Sequence, residues 1–99
     1  MNVTTSSNSA PGKTGIMFPL LQSWNPMTEV ATIAAQVNGK RVLCRISSTA
    51  LQKKFNASAD APMTAVTENR HEIESAARRL IENENYEADG SIVIDYKDL

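Results

Sequence analysis

Ninety-nine residues, 41% of them hydrophobic, suffice for one domain whose core needs no metal or disulfide staple. A single cysteine excludes an internal disulfide, no run approaches the roughly 18 apolar residues of a membrane span, and the start lacks a secretory signal, so a cytoplasmic protein without membrane contact is expected. The net charge of −1 divides unevenly: residues 1–60 hold six Lys/Arg against two acids and residues 61–99 four against nine, a pattern that bears on association rather than on a particular activity.

Residues 1–14 are small and polar, with almost nothing to bury, and read as a disordered N-terminal tail ahead of a single α+β domain over residues 15–99. Gly12-Lys13-Thr14 echoes the end of a phosphate-binding loop, but the glycine that should stand five residues earlier is Ser7 and no helix start follows. Ile16-Met17-Phe18 predicts a short edge strand, closed by Pro19, which cannot donate to a ladder. Leu20 to Thr28 reads as a turn or loop in which Trp24 anchors the chain by burying its ring.

The stretch from Val30 to Ile46 predicts a β-hairpin. Asn38-Gly39 is the strongest two-residue hairpin signal, because a type I′ turn needs φ > 0 at both central positions. Counting outward pairs Val37 with Lys40 and continues to Ala31 with Ile46. Period-two alternation then puts Ala31, Ile33, Ala35, Val42, Cys44 and Ile46 on an apolar face, and Thr32, Ala34, Gln36, Arg41, Leu43 and Arg45 on a face turned to water.

Ser47 or Ser48 can cap a short helix in which Leu51 and Phe55 share one side and Lys53 and Lys54 the other. A loop with Asp60 and Pro62 precedes a long helix, about Met63 to Asn83. Its stripe of Met63, Val66, Arg70, Ile73, Ala77 and Leu80 should lie across the hairpin's apolar face, with Arg70–Glu74, Glu74–Arg78 and Arg78–Glu82 as i,i+4 pairs. After the turn signal Asp89-Gly90, Ser91 to Lys97 alternates as a last strand. The order β-β-β-α-α-β predicts a small, mainly antiparallel sheet with two helices packed on one face.

Chemistry-bearing groups are sparse. Cys44 falls on the predicted buried face, where a thiol is a small inert hydrophobe, and His71 stands alone on a helix, so no nucleophile–base pair and no zinc ligand set is legible. The acids at Glu82, Glu84, Glu87 and Asp89 lack the spacing of a calcium loop. A non-enzymatic chain without cofactor or metal is expected.

The elements so placed resemble those of an uncharacterised bacterial family catalogued as domain of unknown function 1488. The resembling residues are Phe18-Pro19, Trp24, Val37-Asn38-Gly39, Cys44-Arg45-Ile46-Ser47 leading into Ala50-Leu51 and Phe55, Asn69-Arg70 to Ile73 and Ala77, and Asp89-Gly90-Ser91. The resemblance spans roughly residues 16–99. It implies a small bacterial α+β domain and supplies no catalytic residue to carry over.

The hairpin's wet face is the candidate binding surface. Ala34 and Leu43 supply an apolar centre and Arg41 and Arg45 a polar rim, which suits an unknown protein partner or self-association in a regulatory or binding module. The alternative is a weak, backbone-directed nucleic-acid contact through Lys40, Arg41, Arg45, Lys53 and Lys54. That reading is disfavoured because the face lacks the aromatic side chains on which single strands stack.

Overall fold

The computed structural model describes residues 15–99, so the tail expected over residues 1–14, with its Gly12-Lys13-Thr14, lies outside the described residues. In chain order the elements are β1 (Ile16–Met17), β2 (Gln22–Asn25), β3 (Val30–Val37), β4 (Lys40–Ser47), α1 (Ser48–Phe55), α2 (Pro62–Glu68), α3 (Arg70–Glu82) and β5 (Ile92–Ile94), followed by a 3₁₀ turn over Tyr96–Asp98. The class is α+β, with a five-stranded, mainly antiparallel sheet and three helices.

The hairpin of β3 and β4 is the centre of the sheet and takes the predicted register in every pair, from Val37–Lys40 to Ala31–Ile46. Asn38 at φ 53° and Gly39 at φ 86° make the expected left-handed turn. All six residues of the predicted inner face are 8% exposed or less. They share one cluster with Leu51, Val66, Ile73, Ala76 and Ala77 from the helices and with Ile92 and Ile94 from β5. By area bookkeeping, each large aliphatic side chain so buried contributes roughly 1.5–3 kcal/mol.

Strand β5 returns parallel to β4, pairing Cys44 with Ile92 and Ile46 with Ile94, after a crossover through all three helices. It is shorter than the run Ser91 to Lys97 suggested. After Ile94 the Asp95 amide donates to the Asp98 carboxylate at 2.9 Å, and this local cap turns the chain into the 3₁₀ turn.

Two further departures shape the surface. The segment expected to be loop contains β2, antiparallel to the outer edge of β3 in the register Gln22–Ile33 to Asn25–Val30. Trp24, opposite Ala31, is half-buried against the core from this strand, as an anchor should be.

The long helix is two. At Asn69 (φ −116°, ψ 25°) the backbone leaves helical geometry, and the Asn69 side-chain amide donates to the Ala65 carbonyl at 2.9 Å, competing with the helical ladder. The apolar stripe survives the break, since Val66 before it and Ile73 after it are both fully buried.

The break frees Arg70 to act as a clamp. It bonds Glu74 through Nε at 2.7 Å, the Gln22 side-chain oxygen at 2.7 Å and the Pro19 carbonyl at 2.7 Å. Gln22 also donates to Thr67 of α2 at 2.9 Å. The helix layer thus holds β2 and its approach against the sheet. Of the three predicted i,i+4 pairs only Arg70–Glu74 forms among the described residues; Arg78 lies over the Phe18 ring, 5.6 Å from its centre.

Candidate functional site: the open sheet face

All three helices cover one side of the sheet, which leaves the other side open. The register sets what it displays. Ala34 pairs with Leu43, and Leu21, one residue ahead of the Gln22–Ile33 pair, comes beside Ala34. Leu21, Ala34 and Leu43 form a row across three strands, flooring a shallow hollow of about 240 Å³ that Thr32 and Arg41 also line.

Alternation brings Met17, opposite Gln36, and Val93, opposite Arg45, to the same side. Leu21 is 53% exposed, Leu43 39%, Met17 69% and Val93 40%. Several large apolar side chains on one flat surface exceed the scattered exposure usual for a monomer.

Ala34 corrects one expectation. Placed on the wet face by its parity, it is only 5% exposed, because its methyl is too short to rise past the flanking Leu21 and Leu43. It belongs to the floor of the hollow, and Leu21 and Leu43 are its reachable walls.

The two arginines differ. Arg45 is tied down: its guanidinium contacts the Asp89 carboxylate at 3.1 Å and the Ser91 hydroxyl at 3.3 Å. Asp89 in turn accepts from the Ser91 hydroxyl at 2.6 Å and the Ser91 amide at 2.9 Å, and these bonds, then Arg45, lower its pKa from 3.8 to about 2. Arg41 is exposed at the lip of the hollow and forms no ion pair among the described residues.

The residues of the alternative nucleic-acid reading are spread out. Lys40 starts β4 at the hairpin tip, whereas α1 leaves from its far end, roughly 23 Å away at about 3.3 Å per residue. On α1, Lys53 stands over the Tyr96 ring, 5.5 Å from its centre, and Lys54 is exposed.

Cys44 is fully buried, and burial pushes its thiol up to about 11, with the Arg70 charge opposing. Such a thiol carries very little thiolate at neutral pH. His71 is exposed on α3. Among the described residues, no three His, Cys, Asp or Glu side chains stand together as metal ligands, and no helix is long and apolar enough to cross a membrane.

A family model described as "Protein of unknown function (DUF1488)" matches residues 16–94. The chain belongs to the DUF1488 family. A crystal structure of a DUF1488 protein of unknown function from Shewanella loihica PV-4 is similar to it, with a TM-score of 0.74 and 23% identity over 81% of this chain and 91% of that one. At that identity the likeness concerns the fold alone. No curated protein matches the chain.

Leu21, Met17 and Val93 were absent from the sequence-derived surface. The available signal was the alternation Leu21-Gln22-Ser23-Trp24, which puts Leu21 and Ser23 on one side and Gln22 and Trp24 on the other. Prolines at 19 and 26 confine it to a span too short to separate strand from loop.

Proposed function

We propose that this DUF1488 chain is a bacterial, cytoplasmic, non-enzymatic binding module that docks a protein partner on its open sheet face. The observation that supports the reading is the uncovered row Leu21–Ala34–Leu43 with the unpaired Arg41 at its lip. A partner surface that fits would offer apolar side chains to the hollow and a carboxylate to Arg41, the arrangement of an apolar centre inside a polar rim. The reduced, buried Cys44 suits a reducing compartment.

The test is a photo-crosslinking amino acid placed at Leu43, and at exposed Glu72 on the helix side as control, in the full chain in its source cells. A discrete protein adduct from position 43, absent from position 72 and lost when Leu21→Asp is added, is expected. Equal labelling from both positions would sink the proposal. Retained nucleic acid whose affinity collapses between about 50 and 200 mM salt would replace it with the electrostatic alternative.

A further inference from the structure

The sheet has a vacancy in its hydrogen-bonding pattern apart from the open face. Across a two-residue turn the closing residues Val37 and Lys40 exchange both backbone bonds, so Lys40, Val42, Cys44 and Ile46 turn their backbone groups toward β3. Arg41, Leu43 and Arg45 turn theirs the other way. The Asn38 amide, donating to the Gly15 carbonyl at 3.0 Å on the far side of β3, agrees with this phase.

Strand β5 satisfies only the upper part of that outward edge, from Cys44 to Ile46. Below it, the backbone bonds made within residues 86–91 run from Glu87 to Ser91 and from Gly90 to Glu87, and none reaches Arg41 or Leu43 among the described residues. A groove of about 520 Å³ separates the two, with Lys40 to Val42 on one wall and Tyr86 to Gly90 on the other. The outer edge of β5 is blunted by comparison: the Ser91 carbonyl is taken by Glu87 and the Asp95 amide by Asp98.

We propose that the groove is a strand-addition slot and that its occupant is this chain's own N-terminal segment, with Val3-Thr4-Thr5 laid antiparallel along Arg41 to Leu43. Gly15 is pinned to the hairpin tip by two bonds to Asn38, its amide to Oδ1 at 3.2 Å and its carbonyl from the Asn38 amide, so the 14 residues before it start within one turn of the slot's mouth. Reaching the slot means crossing about three strand spacings, roughly 14 Å. Residues 6–14 span up to about 30 Å at roughly 3.3 Å per residue.

A segment that climbs away from the tip runs opposite to β4, which gives the antiparallel sense. Strand addition draws its affinity from main-chain bonds, which a segment with few apolar side chains can still supply. Val3-Thr4-Thr5 is a run of three β-branched residues. Covalent linkage raises the effective concentration to the millimolar range without any further contact. The segment carries one cation, Lys13, and no acid, which suits the wall bearing Glu87.

The test is amide hydrogen exchange by NMR on the full chain, with a Val3→Pro, Thr4→Pro variant that removes two successive donors from the added strand. In the parent chain the Arg41 and Leu43 amides are expected to exchange at least tenfold more slowly than unprotected amides. In the variant they return to within twofold of the unprotected rate while Ile33 and Cys44 are unchanged. Unprotected Arg41 and Leu43 amides in the parent chain overturn the proposal, as does protection that survives the prolines. Protection that grows with protein concentration assigns the slot to a second copy and overturns it equally. A Leu43→Asp chain keeps the protection, which separates this outcome from that of the open-face reading.

Discussion

The two faces of the β3–β4 hairpin are built from alternate residues of the same sixteen-residue ribbon, yet they behave as different kinds of surface. The inner face is closed: Ile33, Cys44 and Ile46 meet Val66, Ile73 and Leu51, and exposure there is 8% or less. The outer face mixes large apolar side chains with two arginines, one tethered and one free. Closure on the inner side comes from three helices delivered by the crossover to β5. No element of the described chain plays that part for Leu43 and Leu21. The difference teaches that apolar content alone does not define a core; a core is apolar surface to which the chain has also supplied a lid.

Substitutions that separate the faces sharpen this contrast. Ile33→Ala opens a cavity beneath a fully covered side chain and is expected to cost about 2–5 kcal/mol in urea unfolding, with an unchanged m-value. A loss below about 1 kcal/mol would mean that the helices do not close that face.

Arg70→Ala comes next. Its side chain is 13% exposed and bonds Glu74, Gln22 and Pro19, so a loss of about 1.5–3 kcal/mol is expected, the range for hydrogen bonds to charged groups. Hydrogen exchange should also quicken at Ser23 and Asn25, whose strand the clamp holds in place.

Gly39→Val tests the turn that puts the two faces out of phase. Nothing lies within 4 Å of the position a Cβ would take, so only the backbone at φ +86° is strained, at a cost of about 1–3 kcal/mol. Leu43→Asp on the outer face should change stability by less than about 1 kcal/mol. If it unfolds the chain instead, the outer face is core and the contrast fails.

The smallest effect concerns the tether of Arg45. Asp89 has a folded pKa below its ordinary value, so its contribution is complete above about pH 4 and is lost as the pH falls through about 2. Carboxyl titration by NMR should find a midpoint near 2. Ser91→Ala should move it back toward 3.8 further than Arg45→Ala does, because the Ser91 bonds are the larger cause.

What could be read without coordinates was local. The hairpin register follows from two turn residues and a period of two, both set within a few residues of each other, and it fixes the partner of each residue from Ala31 to Ile46. Of the candidate site, Arg41, Leu43 and Arg45 followed from parity alone. Tertiary structure decided the rest. Gln22–Asn25 is a strand only because β3 offers it an edge, and that edge brings Leu21 to Leu43. Asn69 breaks a helix that periodicity would continue, and Arg70, an interruption in an apolar stripe when read along the chain, becomes the bolt between layers once Pro19 and Gln22 come within its reach. Partners about fifty residues apart along the chain leave no trace in a short window of sequence, because such contacts depend on where the chain returns rather than on what each stretch prefers.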